Sequence, residues 1–133
     1  MATATRREAR ERALSLLYEA EVKGETPSQV LADLPVAPDP FAAELASGVE
    51  SRQSEIDSLL ARHSVEWPLD RMPVVDRTLL RMATWELLAR PGVPRAVIIS
   101  EAVELAKQYS TEDSGRFVNG ILAAVAGAVR SPP

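Results

Sequence analysis

Pro73-Val74-Val75-Asp76-Arg77-Thr78-Leu79-Leu80-Arg81-Met82-Ala83-Thr84-Trp85-Glu86-Leu87-Leu88-Ala89-Arg90 is the stretch whose pattern settles the fold class. Val75, Leu79, Leu80, Ala83, Leu87 and Leu88 recur at the spacing of one helix face, and Pro91-Gly92 stops the run. The spacing predicts a helix over 73–90. Asp76 falls in its first turn, where an acid favours the helix dipole. The other reading of Asp76 is a partner-binding carboxylate exposed beside the apolar face. Trp85 is expected in the core and Glu86 on the surface.

The same periodicity extends in both directions. Upstream, Ala9, Ala13, Leu16, Leu17 and Ala20 predict a helix over 5–23, stopped at Gly24. Thr26 and Pro27 open a short helix over 27–34, and Pro35 to Pro40 form a turn. Phe41, Leu45, Val49, Ile56, Leu59 and Leu60 predict one long helix over 40–63, with His63 at its end. The segment from Trp67 to Pro73 reads as a corner. Downstream, Val97, Ile98, Ala102, Leu105 and Ala106 predict a helix from Pro94 to Tyr109. A last helix is capped by Ser110 or Thr111 and buries Phe117, Val118, Ile121, Leu122, Val125 and Val129. Ser131-Pro132-Pro133 is expected to fray. No strand or internal repeat emerges. The fold class is all-α, with six or seven helices. The loop near 37 and the corner near 70 suggest an N-terminal lobe over 1–66 and a C-terminal lobe over 67–130.

Composition narrows the chemistry. Of 133 residues, 46% are hydrophobic but only 5% aromatic, so the core is built from Leu, Val, Ile and Ala, as suits packed helices. The absence of cysteine excludes thiolate nucleophiles, disulfides and Cys-based metal sites, and a single histidine cannot build a multi-histidine site. No cofactor or metal is indicated. No apolar run reaches the roughly 18 residues of a membrane span, and no apolar segment follows the N-terminal charges as in a secretory signal. A cytoplasmic setting is expected. The net charge of −4 argues against a surface coated in phosphate-binding charge, so a nucleic-acid site has to be local.

The arginines offer such a site. Arg6 and Arg10 share one helix face, with Arg7 beside it and Arg12 one turn on. Cations at a helix start oppose its dipole, so the first turn is expected to fray until a phosphate relieves the repulsion. Glu8 with Arg12, and Arg7 with Glu11, have the spacing of weak intrahelical pairs. A solvated mixed-charge face fits the same residues and is the more common case. Glu101 and Glu104 lie three apart, but no nucleophile or phosphate loop accompanies them, and Glu104 with Lys107 reads as a surface pair. In Arg116-Phe117-Val118-Asn119-Gly120, the helical glycine suggests close approach of a neighbouring helix. Phe117 reads as core, or as an aromatic that stacks a base beside Arg116.

Four segments, in this order, resemble the NusB family. They are Arg6-Arg7-Glu8-Ala9-Arg10 leading into Ala13 to Tyr18; Val75 to Arg81; Val93-Pro94 through Ile99 to Lys107; and Glu112-Asp113-Ser114 with Arg116 to Leu122. The resemblance spans nearly the whole chain. It implies a two-lobed helical bundle without enzymatic activity. It also implies pairing with NusE (a small-subunit ribosomal protein), binding of boxA RNA in ribosomal RNA transcripts, and a part in an antitermination complex on RNA polymerase. By resemblance, Arg6, Arg7 and Arg10 contact RNA. Lys107, Ser110, Arg116 and Phe117 lie in the segments of a second RNA-facing patch. Tyr18, Asp76 and Asp113 match positions associated with the partner protein. Glu8 departs from the pattern by interrupting the basic arm, and Ser100 stands where many members carry Asn. Monomer and homodimer are both compatible with the helical pattern.

Overall fold

The structure is a computed structural model and describes residues 4–130; Ser131-Pro132-Pro133 lies outside them. Among the described residues there are seven α-helices and no strand: α1 (Arg6–Lys23), α2 (Pro27–Ala32), α3 (Pro40–Ser51), α4 (Gln53–His63), α5 (Val74–Ala89), α6 (Arg95–Tyr109) and α7 (Ser114–Val129). A 3-10 turn at Leu69–Arg71 makes the corner before α5. No helix among these residues is long and apolar enough to cross a membrane.

Helix ends follow local chemistry. Thr5 caps α1: its hydroxyl accepts from Glu8 N–H while the Glu8 carboxylate accepts from Thr5 N–H, each at 3.0 Å. This reciprocal pair corrects the expected fraying, and it engages Glu8 with the helix start rather than with Arg12. Gly24 ends α1 with φ 67°, in the left-handed region where a residue without Cβ is unstrained. Thr26 and Gln29 repeat the capping arrangement at α2, and Asp39 accepts from Phe41 N–H at 2.9 Å to start α3 behind Pro40.

The long helix expected over 40–63 is two helices. Arg52, at φ −119° and ψ 19°, leaves helical geometry and closes α3 while opening α4. Its N–H donates to Gly48 C=O at 3.1 Å, and its C=O accepts from Ile56 N–H at 2.9 Å. Ser51 Oγ also donates to Gly48 C=O, at 3.1 Å, a side-chain competitor for the helical bond. The bend lets Leu45 and Val49 on one arm and Ile56 and Leu60 on the other reach the same core, where each is nearly or fully buried.

Helix α5 runs through the middle of that core, packing against α1, α3, α4, α6 and α7. Ten of its residues are buried. Charged side chains on α5 are met by other elements, whereas the buried Thr84 hydroxyl has no partner among the described residues. Arg81 forks onto Asp57 of α4 at 2.8 and 3.0 Å. Arg130, just past α7, donates to the carbonyls of Glu86, Leu87, Arg90 and Val93, so one guanidinium covers the open C-terminal end of α5. Close helix approach occurs at Gly48, where a Cβ would lie 2.2 Å from the Trp85 indole, and at Gly115 against Lys107. Gly120, expected to serve that purpose, is exposed with no neighbour in reach. Val97, expected on the buried side of α6, points outward.

Candidate functional site

The structure divides the arginine arm. Arg10 turns inward, 5% exposed, and forks onto Glu86 of α5 at 2.8 and 2.7 Å. In this arrangement its guanidinium faces the α1–α5 junction and not the solvent-exposed arm. Glu86, expected on the surface, is 2% exposed. A buried guanidinium requires a buried counter-charge, and the bidentate geometry holds α1 on α5. The bond to Glu86 also raises the Arg10 pKa above its ordinary value.

Arg6 and Arg7 turn outward. Arg6 lies 4.2 Å above the Phe41 ring and makes no ion pair among the described residues. Arg7 reaches across to α6 and forks onto Glu101 at 2.9 and 3.1 Å, not onto Glu11. The Arg7 side chain stays 56% exposed. The same bond holds the Glu101 carboxyl below its ordinary range and raises the arginine. Arg7 shares a shallow depression with Glu104, Leu105, Lys107 and Gln108, so the arm and the end of α6 form one surface. Lys107 lies 3.8 Å from Glu104 in the expected exposed pair. Its stem crosses α7 at Gly115, where a Cβ would sit 3.0 Å from the Lys107 Cγ. The small residue thus lets the lysine lie along the helix junction with its head in solvent.

The α6–α7 turn is organised from below by Asp76. Its side chain is fully buried, so it is not an exposed partner-binding carboxylate, and that expectation is corrected. The Ser110 hydroxyl donates to one carboxylate oxygen, and the Ser114 hydroxyl donates to the other at 2.8 Å. Ser114 and Thr111 hydroxyls are 2.7 Å apart. Ser110 and Thr111 therefore face sideways into this cluster rather than capping α7, and Asp113 occupies the cap position without a side-chain bond. Asp113 instead lies in solvent, 3.4 Å from the equally exposed Arg116.

Beyond that turn, Phe117 is half-buried against Trp67, with ring centroids 4.3 Å apart and planes tilted by 53°. Arg62, His63, Glu66, Trp67, Arg116 and Phe117 line a second depression. Further along α1, Tyr18 opens onto a groove of about 650 Å³ with Leu14, Val75 and Tyr109, rimmed by Glu8, Glu11 and Arg12. Tyr18 and Tyr109 are 45% and 47% exposed, large apolar surfaces left facing solvent. The Tyr109 hydroxyl donates to Glu11 at 2.7 Å, which raises the phenol pKa. Asp113 does not join the Tyr18 groove. Glu101, Glu86, Trp67 and Tyr109 were missed in the sequence because their partners lie far along the chain. The sequence separation is 94 residues for Arg7–Glu101 and 76 for Arg10–Glu86. Among the described residues no cluster of His, Asp and Glu could hold a metal ion.

Comparison with known proteins bears on this geometry. A model of the NusB family matches residues 7–127. The transcription antitermination protein NusB of Kineococcus radiotolerans is 49% identical over 127 residues, covering 92% of this chain and 93% of that protein. That of Streptomyces griseus is 45% identical, covering 90% of each. Among solved structures, T. maritima NusB matches with a TM-score of 0.85 and 37% identity, over 94% of this chain and 92% of that one. A chain in a crystal structure of antitermination factors NusB and NusE in complex with dsRNA matches with a TM-score of 0.78. It is 29% identical and covers 92% of this chain and 96% of that chain.

Proposed function

Because the chain belongs to the NusB family, we propose that it is an RNA-binding transcription antitermination factor. With NusE it binds boxA RNA in ribosomal RNA operon transcripts and supports processive elongation by RNA polymerase in the antitermination complex. The role has no chemical step and belongs in the cytoplasm, where transcripts are made. The observation that carries it is similarity to antitermination proteins along nearly the whole chain. The match to a chain in the NusB–NusE–dsRNA complex adds support.

In this reading Arg6, Arg7, Lys107 and Arg116 supply phosphate contacts on a protein of net charge −4. RNA exchanges its phosphate for the Glu101 carboxylate on Arg7, a like-for-like replacement of one oxyanion by another. Phe117 offers a ring to a base, and the Ser110 hydroxyl borders the same turn. Arg10 and Asp76 act from inside: Arg10 holds α1 on α5, and Asp76 holds the α6–α7 turn. Asp113 tempers Arg116. The Tyr18 groove is the NusE-facing surface, with its large aromatic area and hydrogen-bonding phenols.

Titrating labelled boxA RNA with the chain, with NusE and with both together tests this. Binding tighter for the pair than for either alone is the expected outcome. NusE binding with no gain in RNA affinity would reassign the chain to a protein-only adaptor. Arg7→Ala with Lys107→Ala is expected to lower the slope of log affinity against log salt by roughly 0.7–0.9 per lost phosphate contact. An unchanged slope removes these two residues from the interface. Tyr18→Asp is expected to weaken NusE binding while leaving helix content unchanged by circular dichroism.

A further inference from the structure

We propose that the depression between the end of α4 and the start of α7 is a subsite for one unstacked nucleotide, with Trp67 and Arg62 as its principal residues. This rests on the RNA-binding reading above and extends its footprint to a part of the chain not assigned to RNA by resemblance. The depression encloses about 450 Å³ and is walled by Trp67 and Phe117. The two rings meet at 4.3 Å and 53°, leaving an angled aromatic corner rather than a closed stack. Both are only half-buried, so ring surface remains available. The Trp67 indole N–H donates to Arg71 C=O at 3.1 Å, which fixes the ring's orientation before any ligand arrives.

Charge selects the occupant. Arg62 and Arg116 flank the depression and are exposed, whereas Glu66 is the one carboxylate lining it. Arg116 makes only a loose 3.4 Å contact with Asp113, and both side chains are nearly fully exposed. Two arginines beside an aromatic corner match a base with its flanking phosphates, because stacking serves any base and guanidinium binds phosphate. The Lys107 stem lies against Gly115, the residue before Arg116, so the depression and the Lys107 patch are neighbours at the start of α7. A single-stranded segment can therefore run from one to the other, while a duplex, whose bases are already stacked, gains nothing from the corner.

The two tryptophans make the test direct. Trp85 is 5% exposed in the core, so a ligand-dependent change in emission reports Trp67. The chain with NusE is titrated with boxA-type single-stranded RNA and with duplex RNA of equal length, following tryptophan emission and, separately, the anisotropy of labelled RNA. The single strand is expected to give a saturable change in emission that the duplex lacks and that Trp67→Phe abolishes without loss of affinity. Trp67→Leu is expected to weaken binding roughly five-fold or more, the loss of one stacked base. Arg62→Ala, an exposed change that leaves the fold intact, is expected to lower the salt slope by about 0.7.

RNA binding with unchanged emission and a normal Arg62→Ala variant overturns the subsite and leaves the antitermination reading standing. A change produced by NusE alone assigns the depression to protein and also overturns the subsite. If no RNA binds in any combination, both proposals fall.

Discussion

Arg10 and Asp76 show how a residue's chemistry can be read correctly and its address wrongly. Both are charged groups that a sequence places on helix surfaces, and both are buried. Each is tolerated inside because its oxygens or N–H groups meet partners from another helix. The consequences differ. Arg10→Ala leaves Glu86 as an unpaired buried charge and is expected to lower unfolding free energy by about 3–5 kcal/mol in a denaturant titration. Asp76→Ala leaves two hydroxyls without their acceptor, and a loss of about 1–3 kcal/mol is expected. Its local effect is expected in the α6–α7 turn, as faster amide exchange at Thr111 and Ser114. Unchanged exchange there would remove Asp76 as the organiser of that turn.

Helices α3 and α7 each contain a glycine in mid-course, and packing decides what each is for. At Gly48 a Cβ would collide with the Trp85 indole at 2.2 Å, so α3 and α5 approach only because the residue has no side chain. Gly48→Ala is expected to destabilise by about 1–3 kcal/mol through overpacking. At Gly120 nothing lies within 4 Å, so Gly120→Ala is expected to stabilise by about 0.5–1 kcal/mol through helix propensity alone. Thermal unfolding of the two variants checks the opposite signs. The split between α3 and α4 has a similar origin. Val49 and Ile56 are seven apart, in phase for one helix face across the polar run 50–55, and the periodicity therefore reads as one helix. The backbone turns there because the core, not the stripe, sets the direction of each arm.

Across the molecule, α5 joins the two surfaces assigned to function. Its start holds the α6–α7 turn through Asp76, and its last turn holds α1 through Glu86 and is covered by Arg130. Stability is expected to respond to pH mainly on the acid side. The capping bonds from Thr5 lower the Glu8 pKa, the bonds from Arg52 lower that of Glu55, and those from Arg7 lower that of Glu101. A carboxyl with a lowered folded-state pKa adds stability above its unfolded value of about 4.3, and that stability is lost as pH falls through the folded value. Melting temperature is therefore expected to fall as pH drops below about 4.3, and Glu101→Gln to flatten that limb.

The sequence by itself determined the helices apart from the break between α3 and α4, the caps at Gly24 and Thr26, most of the buried stripe and, through four ordered segments, the family. These depend on neighbours within a turn or two, or on residue order, and both are written along the chain. It also located the exposed pair of Glu104 and Lys107. Only the tertiary structure decided which arginine of the arm faces inward, that Glu86 is its partner, that Asp76 serves Ser110 and Ser114, and that Trp67 meets Phe117. Those pairings join residues tens of positions apart. A side chain's burial there is set by which helix crosses it, and periodicity carries no information about the crossing.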